Sequence, residues 1–219
     1  MLVDCAGQEK NYNPFYAYLA GRLCEYHDKY KFTLQLTYWD IFKLLDEEVA
    51  GFTSPSVPKK GGARAAGAGA VSPQHRRAVN LAKTLCHLIA KGWLPLSVLK
   101  VVDVAGLGEG GGVFFRAFFA EFLDEDSCPD YEVVSAVQRV GLSKNHLTLT
   151  ETLTAFLHRY ALSGGEKGGG EERKKRKKRA RSVVKLLDKL SVSQFMCEGG
   201  GGEGGRNGRE ERGLSLIHI

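Results

Sequence analysis

The sequence predicts an all-α protein made of stacked antiparallel helix pairs. Apolar residues recur at three- and four-residue spacings through most of the chain up to Leu162, and Gly, Pro, Ser and Asn cluster between those stretches. No run alternates apolar and polar residues as a half-buried strand does. With 219 residues, 43% of them hydrophobic, there is enough apolar material to bury one sizeable core.

The opening Met1-Leu-Val-Asp-Cys5 reads as the end of a helix whose beginning is absent. A first full helix is predicted from Pro14 to about His27. Asn13 can accept from free N–H groups of the first turn, while Pro14 has no N–H to leave unsatisfied and a φ that already suits a helix. Phe15, Tyr18, Leu19, Arg22, Leu23 and Tyr26 then fall on one apolar, aromatic face. A second helix, Thr33 to Val49, places Leu34, Tyr38, Ile41, Phe42, Leu45 and Val49 on one side, with Asp40, Lys43, Asp46 and Glu47 opposite. Two such helices joined by a short link form an α-hairpin, the unit of HEAT-like stacking. The aromatic residues Tyr12, Phe15, Tyr16, Tyr18, Tyr38 and Trp39 are read as packing groups and not as a stacking platform for bases.

From Thr53 to Pro73 the apolar period is lost, which predicts a disordered insert. A third helix follows from Gln74 to Lys91, with Ala78, Leu81, Ala82, Leu85, Leu88 and Ile89 on one face and Gly92 as a left-handed cap. Leu96 to Val102 is a shorter apolar helix, and Gly108-Glu-Gly-Gly-Gly112 is read as a flexible break. Beyond it, Phe114, Phe115, Phe118, Phe119 and Phe122 go most of the way round a helix from Val113 to Asp124, so that helix should be buried on two sides. Helices from Pro129 to Val140 and from Thr148 to Ala161 complete the array, the last aligning Leu149, Leu153, Phe156, Leu157 and Tyr160.

After Leu162 we expect order to end. A Gly-rich stretch leads into a basic run, with at most a short helix from Ser182 to Met196 (Val183, Leu186, Leu187, Leu190), then more Gly-rich sequence. Residues 163–213 are a low-complexity basic and Gly-rich tail, open to a genuine or a read-through origin. The last six residues, Leu214-Ser-Leu-Ile-His-Ile219, read as translated sequencing adaptor.

Three segments say more than their periodicity. The run Gln8 to Ala20 (with Asn13, Pro14, Phe15 and Tyr16 at its centre), the pair Trp39-Asp40, and Leu96-Ser-Val-Leu-Lys-Val-Val-Asp103 together resemble the C-terminal MA-3 domain of the nucleolar MIF4G-domain proteins. The likeness runs from about Leu2 to Leu162. It implies an all-helical, HEAT-like domain related to initiation factor 4G, with Asn13, Pro14, Phe15, Tyr16, Trp39 and Asp40 as structural motif residues. It also implies a non-catalytic interaction module of the nucleus and nucleolus. Such a module would serve pre-ribosomal RNA processing and small (40S) subunit biogenesis beside an initiation factor 4A-type DEAD-box RNA helicase. The middle domain that precedes this one in the family is missing, so we expect a C-terminal piece of a longer protein, incomplete at its first helix.

The remaining chemistry is sparse. The net charge of +6 is concentrated in Arg173, Lys174, Lys175, Arg176, Lys177, Lys178, Arg179 and Arg181. Such a run suits nuclear import or contact with an RNA backbone, or merely solubilises. No aromatic residue interleaves it, so RNA contact there would be electrostatic. A directly RNA-binding or tethering protein is the second reading, and a translation regulator with the same type of domain the third.

The six histidines lack ligand spacing, and Cys86 and His87, being adjacent, cannot face each other on a helix. His27, His75, His146 and His158 are expected near helix ends or surfaces, with His87 interior or at a boundary. Glu47-Glu48 and Asp124-Glu125-Asp126 read as solvated helix ends, and Gly108–Gly112 lacks the Gly-Lys-Ser/Thr ending of a phosphate loop. Nothing resembles an activated nucleophile. We therefore expect no enzyme activity, no metal or cofactor, no small-molecule substrate and no membrane association. Five scattered cysteines without a C-x-x-C pair suit a reducing compartment.

Overall fold

A computed structural model describes residues 1–50, 72–142, 146–162 and 170–198. Every regular element among the described residues is helical. In order these are α1 (Leu2–Gln8), α2 (Phe15–Tyr26), α3 (Asp28–Ala50), α4 (Pro73–Ala90), a 3-10 helix (Leu96–Val101), α5 (Glu109–Phe122), α6 (Asp130–Gln138), a 3-10 turn (Arg139–Leu142), α7 (His146–Phe156), a π-helical turn (Leu157–Leu162) and α8 (Glu171–Glu198). The all-α stack expected from the periodicity is what forms. The expected insert at 53–73 lies outside the described residues except for Ser72 and Pro73, and residues 199–219 lie outside them entirely.

Helix α4 is the centre of the stack, with α1, α2, α3, α5 and α6 all packed on it. Its start follows the rules for a helix N-terminus: the Ser72 hydroxyl accepts from the His75 N–H at 3.1 Å, and Pro73 occupies the first turn. Its end is the left-handed glycine expected, Gly92 at φ 82°. The Arg139 guanidinium donates to the Ile89 carbonyl at 3.1 Å, placing a cation at the negative end of the helix dipole.

Opposite α4, helix α5 fills the core with aromatic rings. Phe114, Phe115 and Phe118 are fully buried. Phe115 lies 4.5 Å from Phe156 between ring centroids, and Phe42 of α3 meets Phe114 edge-on at 5.6 Å. The helix begins earlier than its sequence suggests. Gly110, Gly111 and Gly112 are buried helical residues of its first turn, not a flexible break. Three glycines cost a helix about 1 kcal/mol each relative to alanine. Here that cost is offset by placement, since all three glycines are buried within the fold.

Two further expectations need correcting. The buried side of α2 is Ala17, Ala20, Gly21 and Cys24, while Phe15, Tyr18, Leu19 and Tyr26 turn outward. The cause is proximity: a Cβ on Gly21 would stand 2.3 Å from the Trp93 ring, so only a small-residue face lets α2 approach α4 and its C-terminal turn. The second correction is the tail. Glu171–Glu198 is one long helix, and Ala180, Val183 and Leu187 are buried in the same core as α4 and α5. A run of like charges argued for disorder. It loses here because every third or fourth side chain from Ala180 onward is apolar and finds a surface on α6, α7 and the π-helical turn.

Replacing Gly21 by Ala should destabilise the fold by about 1–3 kcal/mol, as overpacking does, despite alanine's better helix propensity. Trp93 must swing away and give up the 2.9 Å hydrogen bond from its Nε1 to Glu25. Urea unfolding followed by tryptophan fluorescence would show a lower midpoint and a red-shifted native spectrum. An unchanged midpoint would contradict the packing described.

Candidate interaction surfaces

Two exposed surfaces carry the residues singled out from the sequence. The first is built by the Asn13-Pro14-Phe15-Tyr16 run. The Asn13 side chain accepts from the Phe15 N–H at 3.0 Å, fixing the start of α2. The Tyr16 hydroxyl donates to the Glu9 carboxylate at 2.7 Å, and Asn80 of α4 donates to the Glu9 carbonyl at 2.8 Å. The α1–α2 connection is thereby tied down on both sides, and Phe15 is left facing solvent. Trp39 donates from Nε1 to the Val98 carbonyl at 2.9 Å, joining α3 to the 3-10 helix, while Asp40 is exposed and pairs with Lys43 at 3.3 Å. Tyr16 and Trp39 thus each join two parts of the fold, whereas Phe15 faces solvent.

The outcome is an aromatic face with few partners. Phe15 is 59% exposed, Tyr18 47% and Tyr26 81%. Tyr18 leans edge-on against His87 at 4.7 Å, and His87 stacks on Trp93, so the face has a firm floor. Burial among these rings lowers the His87 pKa, and the nearby Lys91 charge lowers it further. Lys91 itself ion-pairs with the buried Glu132 at 2.5 Å, joining α4 to α6.

The second surface is the basic stretch of α8, and its eight predicted residues separate into two populations. Arg176 pairs with Asp124 at 3.3 Å, and the Arg179 Nε lies 2.8 Å from an Asp130 carboxylate oxygen. Arg179 also donates to the Cys128 carbonyl. These two arginines fasten α8 to the connection between α5 and α6. Arg173 and Lys177 are half-buried, while Lys174, Lys175, Lys178 and Arg181 are exposed. Asp124 is accordingly a half-buried ion-pair partner and not a solvated helix end. That pairing was invisible in the sequence, because nothing in the spacing of 124 and 176 announces it. Arg116 of α5 and Arg159 of the π-helical turn were missed for the same reason; they border a groove beside α8 together with Arg173.

Other candidates are placed without acquiring a role. His27, His75 and His158 are exposed, and His146 stands at a helix end, the start of α7, where it is buried. Cys86 and Cys128 are free thiols 3.6 Å apart inside the core, and burial raises the Cys86 pKa. Among the described residues no group of three or more His, Cys, Asp or Glu could hold a metal ion, and no helix is long and apolar enough to cross a membrane.

Comparison with known proteins covers the residues that build the first surface. Residues 1–95, spanning α1 to α4 and the Gly92 turn, match the MA3 domain. The chain contains an MA3 domain. It is similar to Nucleolar MIF4G domain-containing protein 1 of Mus musculus, 32% identical over 153 residues, which is 68% of this chain and 15% of that protein. The Homo sapiens protein of the same name is 30% identical over 166 residues, 76% of this chain and 16% of its own. Suppressor of glycerol defect protein 1 of Schizosaccharomyces pombe is 28% identical over 123 residues, 56% of this chain and 14% of that protein. The chain therefore spans about one sixth of the length of the curated relatives it matches. No solved structure matches it.

All six motif residues lie inside the matched MA3 region, and α5 to α8, including the basic surface, lie beyond it. MA3 domains are a family of non-catalytic scaffolds.

If apolar contacts hold α8 more firmly than its ion pairs, Leu187→Ala should cost about 2–4 kcal/mol and Asp130→Asn less than about 1 kcal/mol, since Asp130 is largely exposed. Hydrogen exchange across residues 173–191 would register the first change as lost protection. Equal losses in the two variants would count against apolar docking. His87 supplies a pH test. Its folded pKa lies below its ordinary value of 6.5, so the unfolded state takes up the proton first. Its contribution is complete above about pH 6.5 and is lost as pH falls below that. Between pH 7.5 and 5.0 the melting temperature of wild type should fall further than that of His87→Gln, and parallel curves would exclude the effect.

Proposed function

We propose that this chain is a non-catalytic docking module of the nucleolus that supports pre-ribosomal RNA processing and assembly of the small (40S) ribosomal subunit. Its protein partner in this reading is a DEAD-box RNA helicase of the initiation factor 4A type. The observation that carries the proposal is the match to an MA3 domain within a stretch similar to proteins whose names place them in the nucleolus. MA3 domains generally bind helicases of that type. The structure supplies a surface with the right physical character. Phe15, Tyr18, Leu19 and Tyr26 form an exposed apolar patch on a rigid helix, and such patches mark protein–protein contacts where large aromatic side chains carry most of the affinity. That three of the four are aromatic makes the face costly to leave in water and well suited to a partner's pocket.

Capture of the helicase by the full-length protein tests this directly. A Phe15→Ser, Tyr26→Ser variant should lose at least about tenfold in affinity, because each truncated anchor removes on the order of 1–2 kcal/mol. Its melting temperature should stay close to wild type, as both side chains are mostly exposed. Capture unaffected by the double substitution would sink the placement of the contact, and failure of the wild-type protein to capture any such helicase would sink the partner.

A further inference from the structure

The exposed side of α8 is a ridge of positive charge. Lys174, Lys178, Arg181, Lys185 and Lys189 follow one another at spacings of four, three, four and four, so they lie along a single helical face, and all five are exposed. From first to last the ridge is about 22 Å long at 1.5 Å per residue. Among the described residues of α8, Glu171, 3.8 Å from Lys174, Glu172 and Asp188 offset it, and Lys178 borders a groove with Glu125 and Asp126. The cations needed to hold α8 in place are on the other side, where Arg176 and Arg179 meet Asp124 and Asp130. The ridge therefore has no part in docking the helix, and its like charges at four-residue spacing weaken the helix that carries them.

We propose that this ridge binds the phosphate backbone of RNA. Its chemistry selects that occupant over an acidic protein. Protein contacts draw most of their affinity from buried aromatic and aliphatic anchors, and the exposed face from Lys174 to Lys189 presents none. A phosphate backbone needs only a line of cations that can displace its counterions. Arg116 and Arg159, brought to the groove beside Arg173 from α5 and the π-helical turn, extend the positive field past the helix. With no aromatic group to stack on bases, recognition is by charge and is indifferent to sequence. The choice of RNA as the natural polyanion rests on the ribosome-assembly reading above; the ridge itself does not, and neither does its test.

The experiment is binding of the purified chain to a 24-nucleotide RNA hairpin, followed by fluorescence anisotropy over a range of salt concentrations. Lys174→Gln, Lys178→Gln and Arg181→Gln combined should weaken binding at least tenfold and reduce the slope of log affinity against log salt by about 2–3, close to one per lost phosphate contact. Lys10→Gln, Lys29→Gln and Lys43→Gln, which remove the same charge from exposed sites elsewhere, should change affinity less than threefold. Thermal melting should show the ridge variant as stable as wild type or more so, since like-charge repulsion has been relieved. A DNA hairpin of the same charge should bind within threefold of the RNA, and polyglutamate at least tenfold more weakly. Equal loss in both triple variants, a salt slope unchanged by the ridge substitutions, or polyglutamate binding as tightly as RNA would each overturn the proposal. None of these outcomes depends on helicase capture, so the two readings fail separately.

Discussion

One helix constrains all the others. From Ala78 to Ala90 nearly every side chain of α4 is buried, including Asn80 and Thr84 as well as the expected Leu81, Leu85, Leu88 and Ile89. A helix so largely buried is destabilised by each polar group it leaves unpaired, and these two are paired. Asn80 donates to the Glu9 carbonyl, and the Thr84 hydroxyl donates back to the Asn80 carbonyl at 2.8 Å. Burying each large apolar side chain is worth about 1.5–3 kcal/mol, and an unpaired buried polar group costs about 1–3 kcal/mol. The bond to Glu9 therefore does more than satisfy one amide. It fixes where the chain passes between α1 and α2, and hence the face that α2 presents outward.

The orientation of α2 shows where reading a sequence by apolar spacing succeeds and where it fails. The period of three and four in Phe15, Tyr18, Leu19 and Tyr26 is real, and it marks a continuous face of the helix. Periodicity reports that a face is apolar without reporting what it meets. The helix has a second face at the same period, Ala17, Ala20, Gly21 and Cys24, whose residues are too small to register as a hydrophobic stripe. Close approach to Trp93 decides between them in favour of the small one. Where both faces are distinctive, as around α5, the reading was sufficient: five phenylalanines implied burial on two sides, and the core provides it. The caps at Asn13 and Gly92 were legible too, since they act through their own backbone neighbours, whereas Ser72 and Pro73, read as part of the insert, turn out to start α4.

What could not be read is of a different kind. Gly110 to Gly112 are helical and buried at the start of α5, a fact of tertiary placement that local propensity opposes. Helix α8 is ordered for a similar reason. Its composition is dominated by like charges, yet Ala180, Val183 and Leu187 recur at helical spacing within and after the basic run, and the acidic connection between α5 and α6 matches Arg176 and Arg179. The site-bearing residues divide in the same way. Tyr16 and Trp39 join elements within the matched MA3 region, whereas the outward placement of Phe15 and of the lysines is seen only once the helices are placed.

The two exposed surfaces lie on helices that pack on different neighbours, α2 on α1, α3 and α4 and α8 on α6, α7 and the π-helical turn, and that arrangement bears on how they can act together. The aromatic face of α2 rests on α4 through small residues, and α8 reaches α4 through α6 and the Lys91–Glu132 pair. Coupling between them would require α4 to have two arrangements of similar energy, each favoured by a different partner. Its enclosure leaves little room for a second one, because a close-packed interior offers few voids into which side chains could move. Distant sites joined by an element with one arrangement contribute additively. A protein bound to the aromatic face and a polyanion held on the basic ridge would then be gathered by proximity alone. The geometry of a scaffold is enough for that, and no conformational switch is required.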